Sequence, residues 1–266
     1  MPTGMCPLCK LEKEVVRSHW IPRGVYDYIR APDEDPIIMT NQVVMFSGRH
    51  IKDYLLCHDC ENILNAGGET WTIPLLADID GRFPLHDILM TRRVDVGDEA
   101  LGAFYTALNP DFRSDMLAHF GLGIFWKSSV HSWTHKKSES RIDLGPYGDG
   151  LRLYLRKEGS FPKQMALNVS IAPRPVKLIT IDLPGRTSMT GCHHFRFYVP
   201  GIQYDLFVGK AIQEYQKKCC VVSAPGHPVL LLDLSESMSR TAREVARKAH
   251  IAKRVKDYRR NLKADS

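Results

Sequence analysis

Hydrophobic and polar positions divide the chain into three segments with different periodicities. Residues 1–70 contain short apolar runs separated by turn-forming residues. Residues 71–162 show apolar positions at helical intervals, most clearly between residues 113 and 133. From residue 163 to 266 the period changes mainly to two, which is typical of strands. The pattern therefore predicts an α+β protein with a mainly helical middle and a β-rich C-terminal part.

The strands of the third segment are bounded by glycine, proline and polar residues. Strand candidates are residues 167–171, 176–181, 194–199, 202–208 and 229–232. Pro200 and Gly201 lie between two of these runs and predict a tight hairpin turn. After Ser239 the strand pattern ends, and a basic helix is predicted to close the chain.

Two Cys-x-x-Cys pairs, Cys6 with Cys9 and Cys57 with Cys60, lie within the first segment. Paired thiolates at this spacing can bind two corners of a tetrahedral zinc ion, and two such pairs complete the site. An iron–sulfur cluster or free thiols are the alternatives. Four thiolates leave no coordination position for water, so such a zinc would be structural. We therefore expect residues 1–70 to form a zinc-binding module.

Composition places the chain among ordinary globular proteins. Of its 266 residues, 44% are hydrophobic and 25% are charged, and no apolar run approaches the ~20 residues of a membrane helix. The N-terminus lacks the pattern of a secretory signal, so a cytoplasmic location and no membrane association are expected. Thiols stay reduced in that compartment, which favours metal binding over disulfides. We interpret Cys192, Cys219 and Cys220 as small buried side chains.

The segment between the two cysteine pairs resembles the zinc-containing subgroup of the HNH, or ββα-metal, endonucleases. That family has a Cys-x-x-Cys pair, a strand ending in Asp-His, a later Asn, and a second Cys-x-x-Cys followed by His or Asn. Here His19 stands at the position of the general base, and Ser18 replaces the metal-binding Asp. Lys52 falls near the position of the Asn, and Glu61 follows the last cysteine at the second metal-binding position.

The wider sequence resembles a group of bacterial HNH-like proteins of unestablished function. The resemblance extends beyond the motif to residues 125–130 and 142–147. It implies a zinc-stabilised HNH-like ββα module and a metal-dependent hydrolase that cuts nucleic acid, with DNA as the expected substrate. In that mechanism His19 is the base and Glu61 binds a catalytic Mg²⁺ or Mn²⁺. The alternatives are a nucleic-acid-binding or protein-interaction module without turnover, and a purely structural zinc protein.

Two basic stretches are further candidates for nucleic-acid binding, and the net charge of +6 is compatible with a polyanionic partner. In the predicted C-terminal helix Arg243, Arg247 and Arg254 fall near one face, where they could follow a phosphate backbone. A solvated helix face is the alternative. Trp126 and Trp133, interleaved with basic residues, could stack on bases, but helical spacing favours a place in the core.

Overall fold

A computed structural model describes residues 1–30, 35–40, 44–91, 102–135, 138–176, 179–187, 191–232 and the single residue 247. In these ranges the chain mixes helices and strands, as an α+β protein does. No helix in the described part of the chain combines the length and the apolar character needed to cross a lipid bilayer. The predicted basic C-terminal helix, with Arg243 and Arg254, lies outside the described residues.

Seven α-helices and thirteen strands make up the described part of the chain. The helices are α1 (Arg23–Tyr28), α2 (His58–Leu64), α3 (Thr70–Thr72), α4 (Pro84–Thr91), α5 (Ser114–Val130), α6 (Gly148–Leu155) and α7 (Glu214–Lys218). The strands are β1 (Thr3–Met5), β2 (Glu12–His19), β3 (Ile37–Met39), β4 (Val44–Phe46), β5 (Lys52–Cys57), β6 (Ala103–Tyr105), β7 (Trp133–His135), β8 (Ser138–Ser140), β9 (Met165–Ile171), β10 (Ile181–Thr187), β11 (His193–Val199), β12 (Ile202–Val208) and β13 (Pro228–Leu231).

The N-terminal part forms a small antiparallel sheet in the order β1-β2-β5. A register shift after Val16 marks a bulge in the pairing of β2 with β5. Strand β5 leads directly into α2, so the paired strands β2 and β5 are followed at once by this helix. The helical path continues through a π-helical segment, Asn65–Glu69, and through α3. Gly67 and Gly68 therefore interrupt the α-helical hydrogen bonding without ending the helix.

The larger sheet has eight strands in the order β4-β3-β10-β11-β12-β9-β13-β6. Most neighbours are antiparallel, whereas β3 runs parallel to β10 and β13 runs parallel to β9. Strands β3 and β4 come from residues 1–70 and β6 from residues 71–162, so all three predicted segments contribute to this sheet. One continuous hydrophobic core extends from the two Cys-x-x-Cys pairs to the eight-stranded sheet.

Helix α5 lies at the centre of this core. Its residues from Leu117 to Ser128 are all buried, which is typical of a helix covered on every side. Phe125 packs edge-on against Phe197 of β11, with ring centroids 4.8 Å apart. On the other side, a Cβ atom at Gly68 would lie 2.5 Å from the backbone nitrogen of Phe120, so only glycine permits this helix crossing.

Most predicted strands are confirmed, including the hairpin at Pro200 and Gly201, where Val199 pairs with Ile202. The prediction of a strand over 176–181 was wrong, because the strand runs over Ile181–Thr187. Its sequence contains Pro184 and Gly185, which resemble a turn. In the structure they lie at a register irregularity, where a missing N–H is tolerated.

The helix predicted to reach Trp133 ends at Val130, and Trp133 begins strand β7. Both Trp126 and Trp133 are buried, so the interpretation of these residues as core is confirmed. Trp133 stacks on Trp20, with ring centroids 5.7 Å apart. Neither tryptophan is therefore available for stacking on bases.

Two glycines of α5 offer a test of this packing. A Cβ atom at Gly121 would lie 2.3 Å from Cδ1 of the buried Tyr204 ring, whereas one at Gly123 would lie 3.6 Å from Leu64. Replacing either glycine by alanine in a helix contributes up to about 1 kcal/mol of stability. We expect Gly123→Ala to be neutral or stabilising, and Gly121→Ala to lower the free energy of unfolding by about 1–3 kcal/mol through overpacking. Urea denaturation of both variants measures the difference; equal midpoints would contradict the packing described here.

Candidate metal centre and the histidine beside it

The Sγ atoms of Cys6, Cys9, Cys57 and Cys60 all lie within 4.8 Å of one another. The Sγ atoms of Cys9 and Cys57 are 3.9 Å apart. A tetrahedral zinc ion with Zn–S bonds of about 2.3 Å needs sulfur separations of about 3.8 Å. The four thiols therefore fit a zinc ion. In the described part of the chain, this is the only group of three or more His, Cys, Asp or Glu side chains close enough to hold a metal.

Hydrogen bonds stabilise the thiolate of Cys6, whereas the pKa of Cys57 is raised mainly by burial and that of Cys60 mainly by its hydrogen bond to Cys6. The pKa of Cys6 is lowered to about 4, mainly because the Cys60 thiol donates a hydrogen bond to its sulfur. The backbone N–H of Cys57 also donates to the Cys6 Sγ at 3.4 Å. Arg156, the residue after α6, places Nη1 4.0 Å from the Cys60 Sγ, and Arg152 of α6 donates to the carbonyl of Leu8 at 3.0 Å. Both guanidinium groups also form ion pairs with carboxylates, Arg152 with Asp149 and Arg156 with Glu158.

His19 is the last residue of β2 and lies opposite Lys52 of β5. Adjacent residues of a strand point to opposite faces. Ser18 is fully buried, and its hydroxyl accepts a hydrogen bond from the Leu56 N–H at 3.1 Å, next to the bulge. The Ser18 oxygen is therefore part of the backbone hydrogen bonding between β2 and β5. His19 points the other way and is half-buried, with no hydrogen-bond partner for its ring nitrogens among the described residues.

A buried lysine fixes the backbone at His19. The Nζ atom of Lys127, on α5, donates to the His19 carbonyl at 2.8 Å and lies 3.7 Å from the Glu69 carboxylate. Its side chain is only 1% exposed. The next residue along the chain, Trp20, donates its indole N–H to Ser128 of the same helix at 2.6 Å. The end of β2 is therefore bound to α5 by two side-chain hydrogen bonds.

Burial and neighbouring cations keep the His19 imidazole neutral. Its pKa is lowered from 6.5 to about 4, first by desolvation and then by the charges of His50, Lys52, Lys127 and Arg23. The His50 ring lies 5.5 Å from that of His19 and stacks on Tyr26 at 4.6 Å. The Nε2 atom of His50 is buried and has no hydrogen-bond partner among the described residues. The neighbour of His19 on the α1 side therefore carries an unpaired ring nitrogen.

Glu61 and Glu69 lie along the helical path that begins at α2. Residues eight apart in an α-helix are offset by about 80° around the axis, whereas residues seven apart nearly coincide. The π-helical segment accommodates one extra residue, so Glu69 is rotated toward the face of Glu61. Burial raises the pKa of Glu69, as does the charge of Glu61, while Lys127 opposes the rise. The Oε1 atom of Glu61 is buried and has no hydrogen-bond partner in the described part of the chain.

The predicted residues thus fall into separate groups. The four cysteines meet, and His19 and Lys52 form a cross-strand pair. Sequence reasoning offers Glu69 as a second carboxylate beside Glu61, but it missed Lys127 as a member of the site; an isolated lysine in an apolar helical stretch was the available signal. His193 and His194 lie on opposite faces of β11, one exposed and one buried, as expected for a strand.

A surface cleft of about 310 Å³ is lined in part by the π-helical segment. Its lining residues are Ala66, Gly67, Arg113, Asp115, Met116, His119, Tyr154, Lys157 and Gly159. Neither His19 nor Glu61 contributes to it. The cleft is therefore distinct from the histidine site.

No family model matches this sequence, and no curated protein or solved structure is significantly similar to it.

The geometry of the four thiols predicts one tightly bound zinc ion per chain. We expect Cys57→Ser and Cys60→Ser to lose that zinc and to unfold at lower temperature, because a structural ion contributes its binding energy to folding. Cys192→Ser removes a half-buried thiol outside the cluster and serves as the control. Metal analysis by plasma mass spectrometry with thermal melts measures both effects. Zinc retained in the Cys60→Ser variant at the wild-type ratio would contradict this assignment.

The lowered pKa of His19 predicts that the stability of the folded protein depends on pH. Because folding lowers the pKa of His19 from 6.5 to about 4, the unfolded chain binds this proton more readily. The associated stability is complete above about pH 6.5 and is lost as the pH falls toward 4. NMR titration of the imidazole should give a midpoint near pH 4, and Lys52→Gln should raise it by removing one nearby cation. A midpoint near 6.5 would show that the ring is solvated.

Proposed function

We propose that this protein is a divergent HNH-like endonuclease that hydrolyses phosphodiester bonds of nucleic acid, with DNA as the expected substrate. The observation that supports it is the half-buried His19 imidazole at the end of the strand that pairs with the cysteine-bearing strand β5. Its pKa is lowered, and its ring nitrogens have no hydrogen-bond partner among the described residues. In this proposal zinc occupies the cluster and has a structural role, because four thiolates leave no coordination position for water. The reaction would take place at His19, outside the zinc coordination sphere.

His19 would act as the general base. A neutral imidazole can accept a proton from water while the water oxygen attacks phosphorus and the leaving oxygen departs. A bound phosphodiester places negative charge beside the ring, which raises the pKa of His19 from its value in the free protein. Proton acceptance thus becomes easier when substrate is present. Lys127 would keep the His19 backbone in place throughout, through its hydrogen bond to the carbonyl.

Glu61 is the available ligand for a divalent cation. Its Oε1 atom is buried, and no described residue forms a hydrogen bond with it. Mg²⁺ is commonly held by one or two carboxylates together with substrate phosphate oxygens. Ser18 does not fit this role, because its hydroxyl already accepts the Leu56 N–H. An ion at Glu61 would supply charge stabilisation of the phosphodiester.

A binding module without turnover is the second candidate. The observation that favours it is Lys127, a permanent cation 3.7 Å from Glu69. This ammonium group neutralises one of the two carboxylates that could otherwise have shared a divalent ion. If no ion binds at Glu61, the site retains affinity for phosphate without a catalytic metal.

Incubation with plasmid DNA and Mg²⁺ or Mn²⁺ tests the proposal. We expect strand cleavage that is lost by at least about a hundredfold in His19→Ala, since general-base catalysis typically contributes 10²–10⁴-fold. Glu61→Gln should lower the rate and raise the Mn²⁺ concentration needed for half-maximal activity. Its control is Glu12→Gln, an exposed carboxylate on β2.

The control for the histidine is His193→Ala, an exposed imidazole on β11 that leaves the N-terminal module unchanged. Cleavage that is equal in His19→Ala and His193→Ala would remove His19 from the mechanism. Absence of cleavage by the zinc-loaded wild-type protein with either metal, on double- and single-stranded substrates, would leave the binding module as the supported function.

A further inference from the structure

The outward face of the β2–β5 pair carries two adjacent rows of side chains. His19 pairs with Lys52, and two residues away Arg17 pairs with Tyr54. Residues two apart in a strand share a face and are separated by about 7 Å along it. Since Ser18 between them is fully buried, Arg17 and His19 both point away from the core. The four side chains therefore form one surface, which we call the Arg17–Tyr54 face.

This face is positively charged around His19. Arg17 and Lys52 are exposed, and neither makes an ion pair in the part of the chain that the structure describes. Arg23, one residue beyond Pro22, is 72% exposed and is 3.8 Å from Asp27. Burial lowers the pKa of His19 first, and nearby positive charges, including those of Lys52 and Arg23, lower it further. A polyanion would therefore be attracted to the surface that contains the candidate base.

Tyr54 adds an exposed aromatic ring to these cations. Its side chain is 41% exposed, although it lies in a strand of a zinc-supported sheet. The Arg17 guanidinium carbon lies 5.4 Å from the ring centroid, so a cation and an aromatic plane are held together. Unstacked bases bind to aromatic and guanidinium planes of this kind, with about 1–3 kcal/mol per base. Bases inside a duplex are already stacked and cannot use them.

We propose that the Arg17–Tyr54 face binds single-stranded nucleic acid, with Tyr54 and Arg17 stacking on an unpaired base and Lys52 contacting the adjacent phosphate near His19. The inference rests on the proposed function, and it deepens it by naming an unpaired strand as the form of substrate. The rigid pairing of β2 with β5 places the stacking surface about two residues from the histidine, so a base on Tyr54 would present its neighbouring phosphodiester to His19.

Fluorescence anisotropy with a short labelled oligodeoxynucleotide, single-stranded or annealed to its complement, tests this proposal without added divalent cations. We expect the zinc-loaded wild-type protein to bind the single strand more tightly than the duplex. Tyr54→Leu should weaken single-strand binding about tenfold or more and leave duplex binding nearly unchanged. Lys52→Gln should reduce the slope of log affinity against log salt by about 0.7, the value for one phosphate contact on a single strand.

Matched controls lie on α7. Tyr215→Leu removes a ring that is 51% exposed, and Lys218→Gln removes an exposed lysine; neither should change binding. Zinc content and thermal melts show that each variant is folded. Equal affinity for both forms of the oligonucleotide, or equal effects of Tyr54→Leu and Tyr215→Leu, would overturn the proposal.

Cleavage measured in parallel separates the two proposals. If single strands bind in a Tyr54-dependent manner but are not cut, the binding role of the Arg17–Tyr54 face is supported and the nuclease function is contradicted. If cutting depends on His19 but is insensitive to Tyr54→Leu and Lys52→Gln, the nuclease function is supported and the binding role of the face is contradicted.

Discussion

Burying the ammonium group of Lys127 is the constraint around which the site is organised. A buried charge is tolerated only when it is paired and hydrogen-bonded. Lys127 meets that need with the His19 carbonyl at 2.8 Å and the Glu69 carboxylate at 3.7 Å. One ammonium group thus connects the end of β2, the helical path after α2 and the central helix α5. Removing either partner would leave an uncompensated buried charge, which generally costs several kcal/mol. The position of His19 therefore depends on a residue more than one hundred positions away in the chain.

The four-cysteine cluster and the long buried helix could be predicted from sequence because their signals are local. Two cysteines separated by two other residues, occurring twice, are a typical metal-binding pattern, and the four thiols do meet. The apolar run beginning near Arg113 produced the helix α5 at nearly the predicted bounds. The hairpin at Pro200 and Gly201 was equally local, because turn chemistry and strand alternation agree there.

Features that depend on tertiary contacts could not be predicted in the same way. Lys127 seemed to begin a basic end of a helix, whereas it is buried because α5 is covered on all sides. The rotation of Glu69 toward Glu61 depends on π-helical hydrogen bonds, for which the sequence contains no signal beyond two glycines. Pro184 signalled a break and instead lies within a strand, since a register irregularity tolerates its missing donor. The functional role of His19 is untested by these features and remains a prediction.

The interleaved order of the large sheet has a consequence for synthesis on the ribosome. Strand β3 pairs in parallel with β10, and Thr180 donates to the carbonyl of Ile37 across 143 residues. The four cysteines are all available once residue 60 has emerged, whereas β3 must wait until β10 has been translated. Contacts of such long sequence separation are formed late, because loop closure must be achieved before they contribute stability. A nascent chain whose four cysteines have already met would therefore expose the edge of β3 for most of its synthesis. Chaperones that cover unpaired strand edges would act on it in that interval.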